Sequence, residues 1–259
     1  MQNTATSNDS NPGRSTLPII ALTMGDAAGI GPEMVVRAAA HPQLRSICRL
    51  VAVGHPDVLQ RAAQLTNTSL RIEEVGSFEE LADWSPPSTS AAEIQILPCI
   101  KACDDGVAKV PFGAIDARAG HAAYDCLVAS SKAAIAGTIA GITTAPLNKA
   151  ALRAAGLDYP GHTEILGYVC GVDEFAMMLY LPPGDIVKSL HGLGVVHTTL
   201  HTSIRSVPDL LTQDGIAANI RLMDSFMRRV GCEIPRVGVC ALNPHAGEEG
   251  LFGDEEARL

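Results

Sequence analysis

The feature that most constrains the fold is the alternation of short apolar runs with stretches of helical periodicity. The apolar runs predict strands at Pro18–Met24, Leu50–Val53, Gly137–Thr143, Gly192–Leu200 and Arg236–Leu242. The periodic stretches predict helices at Glu33–Ala40, Pro56–Leu65, His121–Ala136 and Pro146–Ala155, and a long helix with one apolar face through Ile216, Ile220, Met223, Met227 and Val230. Strands followed by helices in this order predict an α/β fold with a doubly wound, mostly parallel sheet. Residues 70–115 stay ambiguous, with a strand-like piece at Ile94–Leu97.

Composition narrows the class of protein. Hydrophobic residues make up 47% of the 259, which is enough for a full core and excludes disorder as the main state. The net charge of -9 argues against nucleic acid and anionic membranes as partners. No apolar run is long enough for a membrane helix, and the polar first seventeen residues, expected to be a disordered tail, do not form a secretory signal. The seven scattered cysteines favour free thiols in a reducing cytoplasm.

Polar segments follow four of the predicted strands. They are Met24–Glu33, Thr144–Lys149, His201 and Asn243–Glu248. Because the carboxyl ends of parallel strands share one edge of a sheet, we expect these segments to converge on one cleft.

Each of these segments also has a plain structural explanation. The glycines at 25, 29 and 31 suit either close approach to an anion or an ordinary strand-to-helix turn. His162 and Thr163 begin a predicted helix, where they would hold a phosphate or carboxylate, or act as a Thr cap with an exposed histidine. Lys149 is a phosphate partner or a solvated helix residue. Two histidines such as His201 and His245 can share a divalent metal, although their spacing has no local signature.

Several motifs, in this order, resemble those of the 4-hydroxythreonine-4-phosphate dehydrogenase family of vitamin B6 biosynthesis. They are Met24–Glu33, Thr144–Lys149, Tyr159–Glu164, Met177–Leu179, Asn243–Glu248 and Gly250–Glu256. The resemblance runs from about Pro18 to the last residue, so that 18–259 would be one dehydrogenase domain. It implies the fold of the isocitrate and isopropylmalate dehydrogenases, with two subdomains.

The resemblance also implies an activity and a set of site residues. Members of the family are cytoplasmic homodimers with the active site at the dimer interface. They use NAD, or NADP, and a divalent metal such as zinc, magnesium or cobalt to oxidise and decarboxylate a 4-phosphorylated 3-hydroxy acid. By motif position, His162 and Thr163 would bind substrate, and His201 and His245 would bind the metal. The general base is unassigned, with Asp26 and Lys149 as candidates.

Two departures from the family pattern qualify the expected activity. The third metal-binding histidine, in a His-Asp-Gln segment, is absent, which predicts a chain truncated at its C-terminus and catalytically incompetent on its own. Ala27 and the segment Thr199–Arg205 differ from the usual residues and favour a paralogue acting on 4-phospho-D-threonate or erythronate, or on a cis-dihydrodiol. A noncatalytic, ligand-binding remnant is the alternative from another functional class.

Overall fold

The computed structural model describes residues 17–84 and 95–259. The chain divides into two compact units, the first ending at Val172 and the second comprising Asp173–Leu259. All but one residue of the predicted N-terminal tail lie outside the described residues, and so does Ile94, the first residue of a predicted strand. The assignment of 18–259 as a single dehydrogenase domain stays a prediction.

A five-stranded parallel sheet forms the centre of the first unit. Its strands are β1 (Ile19–Thr23), β2 (Arg49–Gly54), β3 (Leu70–Val75), β4 (Gln95–Lys101) and β5 (Gly141–Thr144), in the spatial order β3-β4-β2-β1-β5. Neighbouring strands all pair in parallel. The predicted α/β fold with a parallel sheet is confirmed, and the ambiguous stretch 70–115 contains two of the strands.

Helices cover both faces of this sheet. The helices of the first unit are α1 (Gly31–Ala39), α2 (Pro42–Ile47), α3 (Pro56–Leu65), α4 (Ala117–Ile135), α5 (Lys149–Ala154) and α6 (His162–Cys170). Val36 of α1 and Leu59 of α3 share one buried cluster with Leu22 of β1. Cys126 of α4 belongs to the opposite cluster, with Ala21 of β1. Alternate residues of a strand point to opposite faces, so residues 19–22 of β1 are all apolar because both faces are covered.

The strand order reverses at β1, and this reversal positions the candidate site. From β1 the chain passes through α1 to β2 on one side, and it returns through α4 to β5 on the other side of β1. The carboxyl ends of β1 and β5 therefore flank a topological switch point, where ligands of doubly wound proteins bind.

Capping side chains set the boundaries that the apolar pattern misplaced. The helix predicted at His121–Ala136 begins four residues earlier, because the Asp116 carboxylate accepts a hydrogen bond of 2.8 Å from the backbone N–H of Arg118. The helix predicted at Pro146–Ala155 begins at Lys149, because the side chain of Asn148 accepts from the backbone N–H of Ala150 at 2.9 Å. Cap hydrogen bonds are local, so hydrophobic periodicity does not detect them.

The second unit contains an antiparallel hairpin packed against a long helix. Strands β6 (Met178–Leu181) and β7 (Leu193–Val196) pair with each other, and the helices are α7 (Val207–Leu210), α8 (Gln213–Arg229) and α9 (Glu255–Arg258). The ring of Tyr180 meets Phe226 of α8 edge-on, with ring centroids 5.2 Å apart. The long helix predicted from its apolar face is confirmed.

Two strand predictions in the second unit are wrong. The predicted strand Gly192–Leu200 is reduced to β7, which is antiparallel and is not part of the parallel sheet. Arg236–Leu242 forms no strand: among the described residues it has no ladder partner, and Val239 is 63% exposed. An apolar alternation permits a strand, but a strand also needs a neighbour to pair with its backbone. The expectation that four strand ends share one sheet edge is therefore wrong for the segments at His201 and Asn243–Glu248.

All seven cysteines are free thiols, as expected. No helix within residues 17–84 and 95–259 combines the length and the apolar character needed to cross a membrane.

Candidate functional site

The segments after β1 and β5 meet at the switch point. The backbone N–H of Asp26 donates to the carbonyl oxygen of Pro146 at 2.9 Å, and Ala145 donates to the carbonyl of Thr23 at 3.1 Å. Gly25 has a φ of +68° and lies close to the backbone of the segment after β5. A Cβ at Gly25 would be only 2.8 Å from the carbonyl oxygen of Ala145. Only glycine fits this position, both in conformation and in space. The predicted convergence is thus confirmed for these two segments.

The loop after β1 is closed by its own hydrogen bonds. Asp26 is 7% exposed, and its carboxylate accepts from the backbone N–H of Ala28 at 2.9 Å. The N–H of Gly29 donates to the carbonyl of Asp26 at 3.0 Å. These two hydrogen bonds hold the turn together. One carboxylate oxygen of Asp26 is therefore already occupied by a bond within the turn.

The start of α6 offers backbone N–H groups that no side chain caps. The capping residue is Gly161, which has no side chain to bond them. His162 and Thr163 are the first two residues of the helix, so the alternative of Thr163 as an N-cap is wrong. The free N–H groups and the helix dipole favour an anion at this end.

The His162 side chain connects the start of α6 to the end of β5. The half-buried imidazole is hydrogen-bonded to the backbone of Ala145, and its Nε2 is buried with no hydrogen-bond partner in the described part of the chain. Burial lowers the pKa of His162, while the bond to Ala145 opposes that effect. Buried polar atoms in native proteins are normally paired, so the unpaired Nε2 marks a position that a ligand atom can fill.

Two more unpaired polar atoms lie on either side of the loop after β1. The hydroxyl of Thr23 and one carboxylate oxygen of Glu33 are buried without hydrogen-bond partners among the described residues. Thr23 is the last residue of β1, in register with Thr144 at the end of β5. Sequence reasoning missed Thr23, and its position at the end of a buried strand is the signal that could have found it. Lys149, at the start of α5, is exposed.

Aromatic packing fixes the turn before α6. The ring of Tyr159 stacks on Tyr124 of α4, with centroids 5.7 Å apart, and also contacts Tyr168 of α6 at 6.0 Å. Ile165 of α6 is fully buried with Leu127 of α4. His162 is therefore positioned by the packing of α6 against α4.

The two histidines assigned to the metal lie in the second unit. Both are exposed and both have left-handed backbone, with φ of +48° at His201 and +53° at His245. Ala246, Glu248 and Glu249 share this conformation. Several such non-glycine residues in one short segment indicate stored strain, which is typical of functional loops.

Hydrogen bonds hold this strained segment in place. The amide of Asn243 donates to the carboxylates of Glu255 at 2.7 Å and Glu256 at 3.0 Å, and its backbone N–H donates to Glu256 at 2.6 Å. These bonds lower the pKa of Glu256. The motifs Asn243–Glu248 and Gly250–Glu256 are thus parts of one local structure.

The described residues do not form a complete metal site. Exposed imidazoles such as those of His201 and His245 are suitable ligands for a divalent ion. However, residues 17–84 and 95–259 contain no group of three or more His, Cys, Asp or Glu side chains arranged to hold one. The donor set fits such a metal only in part.

Comparison with known proteins identifies close relatives. The family model described as pyridoxal phosphate biosynthetic protein PdxA matches residues 46–259. The chain is 38% identical to the D-threonate 4-phosphate dehydrogenase of Salmonella typhimurium, over 93% of this chain and 68% of that protein. It is 35% identical to the 4-hydroxythreonine-4-phosphate dehydrogenase of Trichlorobacter lovleyi, over 93% of this chain and 67% of that protein.

Solved structures of dehydrogenases also match this chain. A 4-hydroxythreonine-4-phosphate dehydrogenase from Klebsiella pneumoniae superposes with a TM-score of 0.79 at 36% identity, covering 95% of this chain and 69% of that one. A terephthalate 1,2-cis-dihydrodiol dehydrogenase from Burkholderia xenovorans matches less well, with a TM-score of 0.55 at 28% identity, covering 94% of this chain and 67% of that one.

Proposed function

Since the chain belongs to the family of the pyridoxal phosphate biosynthetic protein PdxA, we propose that it is a dehydrogenase of a 4-phosphorylated 3-hydroxy acid. The substrate is 4-hydroxythreonine 4-phosphate or the closely related 4-phospho-D-threonate or erythronate. The reaction is oxidation of the secondary alcohol with NAD and a divalent metal, followed by decarboxylation, in a homodimer. The names of the Salmonella and Trichlorobacter relatives support this substrate class.

The observation that carries the proposal is the His162 imidazole at the uncapped start of α6. Once the ring is protonated, its unpaired Nε2 becomes a donor and joins the free N–H groups of the first helical turn in binding a phosphate. The exposed hydroxyl of Thr163, on the same turn, adds a further donor. In this proposal α6 anchors the phosphate and thereby orients the rest of the substrate.

Proton uptake at His162 would accompany binding. Burial keeps its pKa below the usual histidine range, so the ring is neutral at neutral pH. A phosphate dianion beside Nε2 favours the protonated ring and raises that pKa again. Binding of the phosphorylated acid should therefore take up protons.

Metal dependence rests on the match of His201 and His245 to the motif positions of the family. Two imidazoles are an incomplete ligand set, and this favours one alternative: a noncatalytic protein that binds the phosphorylated acid without oxidising it. The weaker match to the dihydrodiol dehydrogenase makes a cis-dihydrodiol a less suitable substrate than a phosphorylated acid.

An activity assay distinguishes these functions. The purified chain is incubated with NAD, a divalent metal and either D-threonate 4-phosphate, 4-hydroxythreonine 4-phosphate or a cis-dihydrodiol, and NADH and carbon dioxide are measured. NADH and carbon dioxide from a phosphorylated acid support the proposal and contradict the expectation that the chain is catalytically incompetent on its own. Binding of the phosphorylated acid without NADH indicates the noncatalytic protein, and turnover of the dihydrodiol alone would overturn the assigned substrate class.

Replacing either proposed metal ligand should weaken metal binding. We expect His201→Ala and His245→Ala each to raise the dissociation constant for zinc by about tenfold or more, because each removes one imidazole from a small ligand set. Equilibrium dialysis measures the effect. His41→Ala, at another exposed histidine, is the matched control. Unchanged zinc affinity in both ligand variants would show that the metal, if bound, is held elsewhere.

A further inference from the structure

The proposed metal ligand His245 lies in a turn with an unfavourable backbone conformation. We call Pro244–Gly247 the His245 turn. His245 and Ala246, in the middle of this turn, both have a φ of +53°. Residues with a side chain avoid this left-handed region, and they stay in it only where the surrounding contacts fix them. The contacts on either side of the His245 turn therefore decide where the imidazole lies.

Asn243 fixes the N-terminal side of the His245 turn with three hydrogen bonds. Its side-chain amide donates to the carboxylate of Glu255 at 2.7 Å and to that of Glu256 at 3.0 Å. Its backbone N–H donates to the other carboxylate oxygen of Glu256 at 2.6 Å. All three acceptors are charged, and hydrogen bonds to charged groups are stronger than those between neutral groups. Asn243 is thus held firmly, two residues before His245.

The C-terminal side of the His245 turn is fixed to the same part of the chain. Gly247 is buried and lies so close to Gly253 that a Cβ at Gly247 would be 2.5 Å from the Gly253 carbonyl oxygen. The backbone N–H of Phe252 donates to the carbonyl oxygen of Gly247 at 3.0 Å. The rings of His245 and Phe252 lie with their centroids 6.3 Å apart. His245 is therefore held between two anchored residues.

The acceptors of the Asn243 hydrogen bonds are themselves attached to the long helix of the second unit. Glu255 and Glu256 are the first two residues of α9. The side-chain amide of Gln213, the first residue of α8, donates to the carbonyl oxygen of Arg258 in α9 at 2.8 Å. Continuous hydrogen bonding thus runs from α8 through α9 to Asn243.

We propose that Asn243 is a positioning residue for His245, a role that rests on the proposed function for its use in metal binding. Its hydrogen bonds join the His245 turn to α9 and thereby orient the imidazole. Only the amide nitrogen allows one short side chain to donate to two carboxylates at once. Hydrogen bonds that orient a metal ligand contribute to metal affinity, although they do not touch the metal.

Asn243→Asp is the most direct test, because it keeps the shape of the side chain but replaces the donor with a third carboxylate. The orientation of His245 is followed in the metal-free chain, with isotope-labelled histidine, by the NMR signal of the imidazole that is missing from His245→Ala. We expect Asn243→Asp to shift this signal towards that of the unfolded chain. We also expect it to raise the dissociation constant for zinc, measured by equilibrium dialysis, by about tenfold.

Three further variants separate positioning from a general loss of structure. Glu256→Ala removes the acceptor of two of the three bonds and should reproduce both effects of Asn243→Asp. Glu255→Gln keeps an oxygen that can accept from Asn243, so it should behave like the wild type. Glu249→Gln neutralises an exposed carboxylate in the neighbouring segment and is the matched control. Circular dichroism establishes that each variant is folded. Should Asn243→Asp fail to fold, Glu256→Ala tests the same bonds.

Two results would overturn the proposal. One is an unchanged His245 signal in both Asn243→Asp and Glu256→Ala. The other is a shifted signal with unchanged zinc affinity, provided that His245→Ala does weaken zinc binding, since the bonds would then hold the turn without positioning the ligand. A wild-type chain that binds no zinc would contradict the proposed metal dependence instead, and the His245 signal alone would then decide whether Asn243 orients the ring.

Discussion

Gly25→Ala is expected to destabilise the chain by about 3 kcal/mol or more, because it combines a left-handed backbone penalty of about 1–2 kcal/mol with a forced clash against backbone atoms. The new Cβ would lie 2.8 Å from the carbonyl oxygen of Ala145, which belongs to the segment after β5 and cannot yield as a side chain can. Relief of the clash requires the loop after β1 to move away from that segment. Chemical denaturation followed by circular dichroism measures the loss.

Gly113→Ala is the matched control for Gly25→Ala. Gly113 has a φ of +73°, close to the +68° of Gly25, but a Cβ there meets no atom within 4 Å. It should therefore show only the backbone penalty, about 1–2 kcal/mol. Equal losses in the two variants would mean that the close approach at the switch point contributes nothing to stability.

His162→Ala is expected to weaken binding of the phosphorylated acid by about thirtyfold, corresponding to the ~2 kcal/mol of one hydrogen bond to a charged group. The ring is half-buried at the edge of the packed core, so folding should be affected less than binding. Calorimetric titration in buffers of different ionisation enthalpy should also show proton uptake by the wild type and none by the variant.

His121→Ala is the control for this substitution, because His121 is an exposed histidine of the same unit, on α4. It should leave both the affinity and the proton uptake unchanged. A loss of thermal stability in His162→Ala, with unchanged affinity in the folded fraction, would instead assign His162 a purely structural role.

The parallel sheet was predictable at β1 and β2, because each contains an apolar run and is followed by a helix pattern. It was not predictable at β3, which carries charged residues at alternate and adjacent positions. Residues such as Ala21 and Leu22 contact opposite clusters, which makes the apolar run continuous and recognisable. The hairpin of the second unit was not predictable in the same way. The apolar pattern of Gly192–Leu200 does not specify whether its neighbour is parallel or antiparallel, since pairing depends on contacts distant in sequence.

The candidate site was predictable only where a local motif reflects a local constraint. Gly25 is required by the backbone itself, and the motifs around Gly25 and Gly161 found the switch-point loop and the start of α6. The contact of His162 with Ala145 joins residues 17 positions apart, and no sequence pattern shows it. The unpaired hydroxyl of Thr23 depends on burial from both faces of the sheet, which only the folded structure shows.

Removing the phosphate from the ligand tests whether the chain recognises its substrate through that group. Titration calorimetry of the wild-type chain is carried out with D-threonate 4-phosphate and with D-threonate. We expect the phosphorylated acid to bind at least about thirtyfold more tightly, because charge-assisted hydrogen bonds at the start of α6 form only with the phosphate. Equal affinities for the two acids would contradict it.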